Sequence, residues 1–186
     1  MSSEFQNQEI SRPLIHLTSS EMEVGAMMGL NRQLRCLNVS KNGESKLSEY
    51  ISKWGDPGKN TLWGNHIEGA LGEVAVAKFL NKYISGATAF GEVDVGEYYE
   101  VRTVSSDFHK LFLKKTDKKD KYYILVRGKL GVYRIWGYIT AYEVFADPSL
   151  FHNNGGRTTY SYWVPDDRLH SIIDIPDEEP CQIIFS

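Results

Sequence analysis

The pattern of apolar and polar positions divides the chain into a helical first half and a strand-rich second half. Residues 1 to about 17 are polar and show no period, which predicts a loose N-terminal arm. Thr18-Ser-Ser-Glu21 has the S/T-x-x-E form of a capping box and predicts a helix that runs to about Leu37. Another short helix is expected around residues 46–54, ended by the turn Gly55-Asp-Pro-Gly58. The expected apolar stripe of the first helix is formed by Leu30, Leu34 and Leu37.

A longer helix with few polar positions is predicted from about residue 61 to residue 84. At about 100° per residue, its polar side is a narrow face formed by Lys78, Asn81 and Lys82. Glu73 lies well round from that face, so its carboxylate is expected to point into packed surroundings, where it needs a partner. Glu68 also lies off the polar face.

Beyond Gly86 the pattern changes to the alternation that is typical of β-strands. Residues 90–95 and 98–104 are separated by Gly96-Glu97, which predicts a β-hairpin. Further strands are expected at residues 111–115, 122–126 and 132–139, with a short helix at 140–145 and edge segments at 162–164 and 181–185. Helices combined with a sheet of at least four strands indicate an α/β fold.

Composition indicates a folded protein of one domain. The 186 residues allow one sizeable core, which assigns residues 18–186 to a single domain after the arm. With 41% hydrophobic and 24% charged residues, neither a disordered nor a fibrous chain is indicated. The longest apolar run, Tyr122 to Val126, is too short to cross a membrane. The N-terminal residues lack the features of a secretory signal, so a cytoplasmic location is expected.

The net charge of −3 is unevenly distributed along the chain. Between Lys110 and Lys129 there are eight Lys and Arg residues but only two Asp, which leaves the remainder strongly acidic. This basic segment has two open interpretations. It either contacts the phosphate backbone of a nucleic acid or is a lysine-rich turn that keeps the protein soluble.

Candidate chemistry lies on the predicted hairpin. A three-residue turn at Gly96 to Tyr98 would place Asp94 directly opposite Glu100, so that two like charges require a shared cation. Glu100 and Arg102 then lie on one face of the same strand. Two carboxylates, with a third from Glu73 of the packed helix, make an oxygen-rich, thiol-free site that suits Mg²⁺ or Mn²⁺. Such sites commonly assist the hydrolysis of phosphate esters.

Gly72-Glu73 on a helix, Asp94 on a strand and Glu100-Val101-Arg102 on the next strand resemble the PD-(D/E)XK nuclease superfamily. The resemblance covers about residues 61–143 and is nearest to small, stand-alone, phage-type members. It implies a restriction-endonuclease-like fold, with a central mixed β-sheet of four or more strands flanked by helices, and DNA cleavage with Mg²⁺ or Mn²⁺. The metal ligands that it implies are Glu73, Asp94, Glu100 and the backbone of Val101, with Glu68 as the alternate helix acid.

Arg102 departs from the family pattern, which has Lys at this position. Arginine stays charged and cannot act as a general base, although it can position water or stabilise charge on the phosphate. Either no side-chain base is needed, or Lys114 or Lys115 on the next strand takes the role, or catalysis has been lost. The alternative function is therefore a catalytically inactive nuclease-like module that binds nucleic acid or a host protein.

Plainer interpretations of the same residues also stay open. Asp94 and Glu100 would then be solvated charges of an exposed hairpin, and Glu73 would form a salt bridge with a basic strand residue. His66 and His109 flank the proposed site but lack metal-ligand spacing. Enzymes that cut both DNA strands often act as symmetric pairs, so a homodimer is one assembly to consider, in the host cytoplasm if the protein is phage-encoded.

Overall fold

A computed structural model of the chain describes residues 11–38, 62–86, 93–152 and 160–180. Several sequence predictions fall outside these ranges. They are the short helix at 46–54, the turn at 55–58, the edge segment at 181–185 and residues 90–92 of the hairpin.

Helix α1 (Ser19–Asn38) begins at the predicted capping box. The Thr18 amide donates to the Glu21 carboxylate at 2.6 Å, and the Glu21 amide donates to the Thr18 hydroxyl at 3.3 Å. Two backbone donors that would otherwise lack partners at a helix start are thereby satisfied. The predicted start of this helix is confirmed.

Helix α2 (Leu62–Leu80) ends earlier than the predicted Ile84. Asn81 adopts a left-handed φ of 52°, which asparagine tolerates better than most residues. The Lys82 amide then donates back to the Ala77 carbonyl at 3.0 Å, which is the hydrogen bond of a Schellman ending. The apolar pattern continues past this turn, and for that reason it overestimates the length of the helix.

The described residues form seven strands, which are β1 (Leu14–His16), β2 (Tyr99–Val104), β3 (Leu111–Leu113), β4 (Tyr122–Lys129), β5 (Val132–Thr140), β6 (Phe151–His152) and β7 (Ser161–Val164). The main sheet has the order β1-β5-β4-β2, in which β2 and β4 are parallel and the other neighbours are antiparallel. A four-stranded mixed sheet with helices confirms the α/β prediction. The short helix α3 (Ala141–Ala146), capped by Thr140, is also confirmed.

The N-terminal arm is shorter than predicted, because strand β1 lies inside the range assigned to it. Leu14–His16 pair antiparallel with β5. Backbone hydrogen bonds extend this contact on both sides, from Ile135 to the Pro13 carbonyl at 3.0 Å and from Leu17 to the Gly131 carbonyl at 2.8 Å. A strand of three residues is too short to show a period, so its pairing depends on a partner that sequence patterning does not reveal.

A second sheet has the order β3-β7-β6, so β3 and the predicted edge segment at 162–164 do not extend the main sheet. One buried guanidinium ties the two sheets together. Arg127 of β4 donates to both carboxylate oxygens of Asp166, at 2.8 and 2.9 Å, and to the His109 carbonyl at 2.7 Å. His109 precedes β3 and Asp166 follows β7, and these two strands are antiparallel, so Arg127 holds the end of the second sheet at which β3 begins and β7 ends.

Helix α1 packs on α2 through glycines, whereas Leu34 of the predicted leucine stripe faces solvent. Gly25 and Gly29 are buried, whereas Leu34 is 41% exposed. A Cβ atom at Gly29 would lie 2.6 Å from the His66 carbonyl oxygen, so the helix backbones are in direct contact. The stripe prediction is wrong for Leu34, because close helix approach selects small residues rather than the most hydrophobic ones, and the Leu37 side chain lies outside the described residues.

The main sheet is covered on both faces. Along β4, Ile124 and Val126 belong to the core cluster that includes α2, whereas Tyr123 and Leu125 belong to the cluster that includes α3 and the second sheet. This alternation is expected for a strand buried between two layers. None of the described helices is both long and apolar enough to cross a membrane.

Candidate functional site

Asp94 and Glu100 lie side by side across a tight turn. Val95 and Tyr99 pair through two backbone hydrogen bonds of 3.1 and 3.3 Å, which confirms the predicted three-residue turn between them. The strand predicted at 90–95 is not formed in its described part, because residues 93–95 make only isolated bridges through Val95. Gly96 begins that turn with a left-handed φ of 55°, which glycine adopts without strain. The next residues in the register are Asp94 and Glu100, and Asp94 Oδ2 accepts a hydrogen bond from the Val101 amide at 2.8 Å.

Glu73 reaches the hairpin because α2 lies directly on β2. The Thr103 side chain fills the space that a Cβ atom would take at Gly72, and its hydroxyl donates to the Gly69 carbonyl at 3.3 Å. A larger residue at position 72 would push the helix away from the strand. Gly72-Glu73 therefore places a carboxylate that is only 5% exposed beside β2, and the predicted burial of Glu73 is confirmed.

The partner of Glu73 is Arg32 of α1. Its two terminal nitrogens donate to both carboxylate oxygens, at 2.5 and 2.6 Å, which is the bidentate geometry of strong ion pairs. Arg32 Nη2 also lies 4.0 Å from Asp94 Oδ1. A guanidinium thus contacts both the helix acid and the hairpin acid, in the region where the resemblance expects a metal ion.

Arg102 joins Glu100 to a further acid, Asp117. Its Nη1 donates to Glu100 Oε2 at 3.3 Å and its Nη2 donates to Asp117 Oδ2 at 3.4 Å. Nη1 also lies 3.3 Å from the Val101 carbonyl oxygen, and the guanidinium carbon is 5.2 Å from the centre of the Tyr123 ring. The predicted contact between Glu100 and Arg102 on one strand face is therefore present.

Burial makes it costly to ionise these acids. It raises the pKa of Glu73 to about 7, opposed by the Arg32 guanidinium and reinforced by the charge of Asp94. Burial also raises the pKa of Asp94, against the hydrogen bond from the Val101 amide. For Glu100, burial and then the charge of Asp94 raise the pKa. The acids are therefore held together at an electrostatic cost.

The charges in this cluster do not balance. Four carboxylates, from Glu73, Asp94, Glu100 and Asp117, contact two guanidinium groups, which leaves two negative charges in excess when all are ionised. Across the part of the chain that the structure describes, no three His, Cys, Asp or Glu side chains are already arranged as a metal site. Arg32 engages both oxygens of Glu73 at 2.5 and 2.6 Å, whereas Arg102 contacts one oxygen of Glu100 and the Val101 carbonyl at the longer distance of 3.3 Å.

Glu68, the alternate helix acid, lies in a different contact. Its carboxylate accepts hydrogen bonds from the Tyr133 hydroxyl at 2.5 Å and from the Leu130 amide at 3.4 Å. Leu130 lies in the turn between β4 and β5, and Tyr133 lies near the start of β5. Five residues along a helix place Glu68 and Glu73 on different sides, so the structure separates the two candidates.

Of the two lysines considered as a general base, Lys115 points to the second sheet. Lys115 Nζ lies 4.2 Å from the centre of the Phe151 ring in the second sheet, and the Lys114 side chain is exposed. His66 lies within the electrostatic influence of Arg32. Burial, and then the positive charge of Arg32, lower the pKa of His66. His109 is exposed, and its carbonyl contacts the buried Arg127.

Arg32 and Asp117 complete the cluster but were not found from the sequence. Arg32 lies 41 residues before Glu73, so no local spacing connects them. Asp117 lies within the basic segment, where lysine and arginine outnumber aspartate, so the charge pattern does not single it out. A usable signal for Arg32 was its position one turn after Gly29, on the side of α1 that faces α2.

Comparison with known proteins gives no match, either to a family model, to a curated protein or to a solved structure.

Proposed function

We propose that the protein is a divalent-metal-dependent nuclease that hydrolyses DNA phosphodiester bonds. The observation that carries the proposal is the meeting of Glu73, Asp94 and Glu100, which come from a helix, a hairpin and a strand. Burial strengthens the repulsion within this cluster and raises the pKa values of its acids, and ionisation of all four acids leaves two negative charges unbalanced. A divalent cation would balance them and could at the same time bind a phosphate group.

Asp94, Glu100 and the Val101 carbonyl would hold the ion. All three supply oxygen, which is the donor that Mg²⁺ and Mn²⁺ prefer, so the residues present fit such an ion. Glu73 would supply a further oxygen to the ion once Arg32 released one of its two hydrogen bonds to that carboxylate. When bound, the ion would supply Lewis-acid polarisation of the scissile phosphate.

Arg102 would contact the same phosphate. Glu100 and Asp117 hold its guanidinium at 3.3 and 3.4 Å, while 26% of the side chain is exposed, so it is both oriented and reachable. Because arginine stays protonated, it would stabilise negative charge on the phosphate rather than remove a proton from water.

The order of the elements also supports the proposal. Helix α2, the turn that carries Asp94, β2 and the apolar strand β4 occur along the chain in the order expected for PD-(D/E)XK nucleases, with β3 of the second sheet inserted between β2 and β4. We therefore include in the proposal a restriction-endonuclease-like fold, DNA as partner and a cytoplasmic location. A homodimer is the assembly that would suit cleavage of both strands.

A DNA-nicking assay tests the proposal. Supercoiled plasmid is incubated with Mg²⁺ or Mn²⁺ and with the wild type, Asp94→Asn or Glu100→Gln. We expect each substitution to lower the rate by at least about 100-fold, because changes around metal sites already cost 10–100-fold outside the ligands themselves. Glu68→Gln is the matched control on α2 and should keep wild-type activity, since Glu68 contacts Tyr133 instead. Metal-dependent nicking that survives both substitutions would refute the assignment.

The second candidate is a catalytically inactive module that binds nucleic acid or a host protein. The contacts of Arg32 favour it, because a bidentate guanidinium neutralises Glu73 without a metal ion. This candidate predicts DNA or protein binding without turnover in the presence of either metal.

A further inference from the structure

A positively charged turn lies directly beside the acidic cluster. Its exposed side chains are those of Lys114, Lys115, Lys118 and Lys119. They stand out in a chain whose net charge is −3. A local concentration of ammonium groups on an acidic protein is complementary to a nucleic-acid backbone.

Asp117 fixes this lysine turn to the cluster. Its Oδ2 accepts a hydrogen bond from the Lys114 amide at 3.0 Å, and its own amide donates to the Lys114 carbonyl at 3.0 Å. The same Oδ2 accepts from Arg102 at 3.4 Å. One carboxylate thus closes the turn and binds the arginine that would contact the scissile phosphate, so the lysines are held next to that position.

A second feature lies between β2 and β3, where the Phe108 side chain is 93% exposed. The turn that carries it is fixed at several points. The Phe108 amide donates to the Ser106 hydroxyl at 3.3 Å, and the His109 amide donates to the Ser106 carbonyl at 3.2 Å. The His109 carbonyl accepts from Arg127, which is 3% exposed. A large aromatic ring is thereby held in solvent by a turn that is anchored in the core.

We propose that the Phe108 turn and the lysine turn form one surface for single-stranded nucleic acid, with Phe108 stacked on an unpaired base and the lysines on phosphates. The two turns lie at opposite ends of β3, and the six residue-to-residue steps from Phe108 to Lys114 span at most about 20 Å. A single strand is favoured because an exposed ring can stack only on a base face that pairing and stacking leave open. The proposal rests on nucleic acid as the substrate of the proposed function, and it is independent of catalysis.

Binding of a short oligonucleotide of about 12 nucleotides tests the stacking contact. The strand carries 2-aminopurine, whose fluorescence falls on stacking, and EDTA prevents cleavage. We expect Phe108→Ala and Phe108→Leu to bind about 5- to 100-fold more weakly than the wild type, whereas Phe108→Trp keeps binding and quenching. Because Phe108 is almost fully exposed, these substitutions leave the core intact. Leu130→Ala, which truncates another exposed side chain, is the matched control.

Salt dependence tests the lysine contacts. Replacing Lys114, Lys118 and Lys119 by Ala should reduce the slope of log K against log salt concentration by about 2, at about 0.7 per phosphate contact on a single strand. A duplex of the same sequence should show the lysine effect but not the Phe108 effect.

The outcomes separate this inference from the proposed function. Single-strand binding that is equal in the wild type, Phe108→Ala and Phe108→Leu overturns the inference, even where Mg²⁺-dependent nicking is intact. Binding that depends on Phe108 without nicking supports the inference and refutes the nuclease. Absence of binding to either strand form, in EDTA or with Mg²⁺, overturns both.

Discussion

Arg32 favours the charged form of Glu73 in a place where burial opposes the charge and raises the pKa to about 7. The carboxylate side chain is 5% exposed and the arginine side chain 15% exposed, so both have lost most of their hydration. A buried pair of this kind contributes little compared with two well-packed apolar groups, but removal of one partner leaves the other charge uncompensated. The pair should therefore respond very differently to single and double substitution.

We expect Arg32→Met to lower the free energy of unfolding by about 3–5 kcal/mol in urea denaturation at alkaline pH, where Glu73 has to ionise. Arg32→Met combined with Glu73→Leu should recover most of this loss, because an apolar contact replaces the ion pair. Added Mn²⁺ should stabilise Arg32→Met more than the wild type, since Glu73 is then available to the ion. Equal stability of Arg32→Met and wild type would contradict the bidentate contact.

The raised pKa of Glu73 also determines how stability depends on pH. The carboxyl has a pKa of 4.5 as an ordinary group and about 7 in the folded protein, chiefly because of burial. Between these values the folded state binds more protons than the unfolded state, so this group makes stability fall as pH rises. Asp94 and Glu100 act in the same direction, because burial raises their pKa values too.

Glu73→Gln should therefore flatten the pH dependence. We expect the loss of unfolding free energy between about pH 4.5 and about pH 7 to shrink by about 1–3 kcal/mol, as measured by urea denaturation at each pH. The variant cannot titrate at this position, so the remaining dependence belongs to the other groups. A pH profile that runs parallel to that of the wild type would contradict the raised pKa.

At the scale of elements, glycines set the distances from which the cluster is built. Gly29 lets α1 touch the backbone of α2, and Gly72 lets α2 touch Thr103 of β2. Arg32 lies one helical turn beyond Gly29, and Glu73 directly follows Gly72. The two charged partners are thus placed by the small residues next to them, so changes at the glycines should affect the ion pair.

Gly29→Ala should destabilise the protein by about 1–3 kcal/mol, the usual cost of overpacking. Its Cβ would lie 2.6 Å from the His66 carbonyl oxygen, a backbone atom that cannot move aside alone. Gly69→Ala is the matched control in α2, since a Cβ there meets nothing within 4 Å. It should stabilise the protein by about 0.5–1 kcal/mol through the lower entropy of the unfolded chain. A stabilising Gly29→Ala in thermal unfolding would contradict the close helix contact.

Elements with local signals were predictable from the sequence. The capping box at Thr18 and Glu21 and the three-residue turn after Val95 are defined by neighbouring residues, and both are present. Strand β1 and the parallel pairing of β2 with β4 were not predicted, because each depends on a partner distant in the chain. Sequence patterning contains the period of a strand but not the identity of its neighbour.

The site shows the same division. The burial of Glu73 follows from its position on α2, and the pairing of Asp94 with Glu100 follows from the length of the turn. Arg32 could not be predicted as the partner of Glu73, because the contact between α1 and α2 depends on glycines that appear unremarkable in the sequence. The Arg32 guanidinium changes the chemistry of the site, because it supplies part of the positive charge that the clustered carboxylates require.

At the scale of the whole molecule, the cluster lies where α1, α2, the hairpin, β2 and the lysine turn meet. A cation that binds there therefore lies between elements that are far apart along the chain. Such a ligand stabilises the native state alone, because the unfolded chain does not hold these acids together. Thermal stability therefore reports on the ion without any need for cleavage.

Mn²⁺ or Mg²⁺ at about 100 times its dissociation constant should stabilise the protein by about 2.7 kcal/mol, which corresponds to about 5–10 °C in Tm for a chain of this size. Asp94→Asn should abolish the shift, because Asp94 lies beside both Glu100 and Arg32. Glu68→Gln should retain the shift, because Glu68 contacts Tyr133 instead. An equal shift in Asp94→Asn would place the ion elsewhere. A wild type without any shift would favour the inactive module, because Arg32 and Arg102 would then be the only cations that the acids of the described cluster bind.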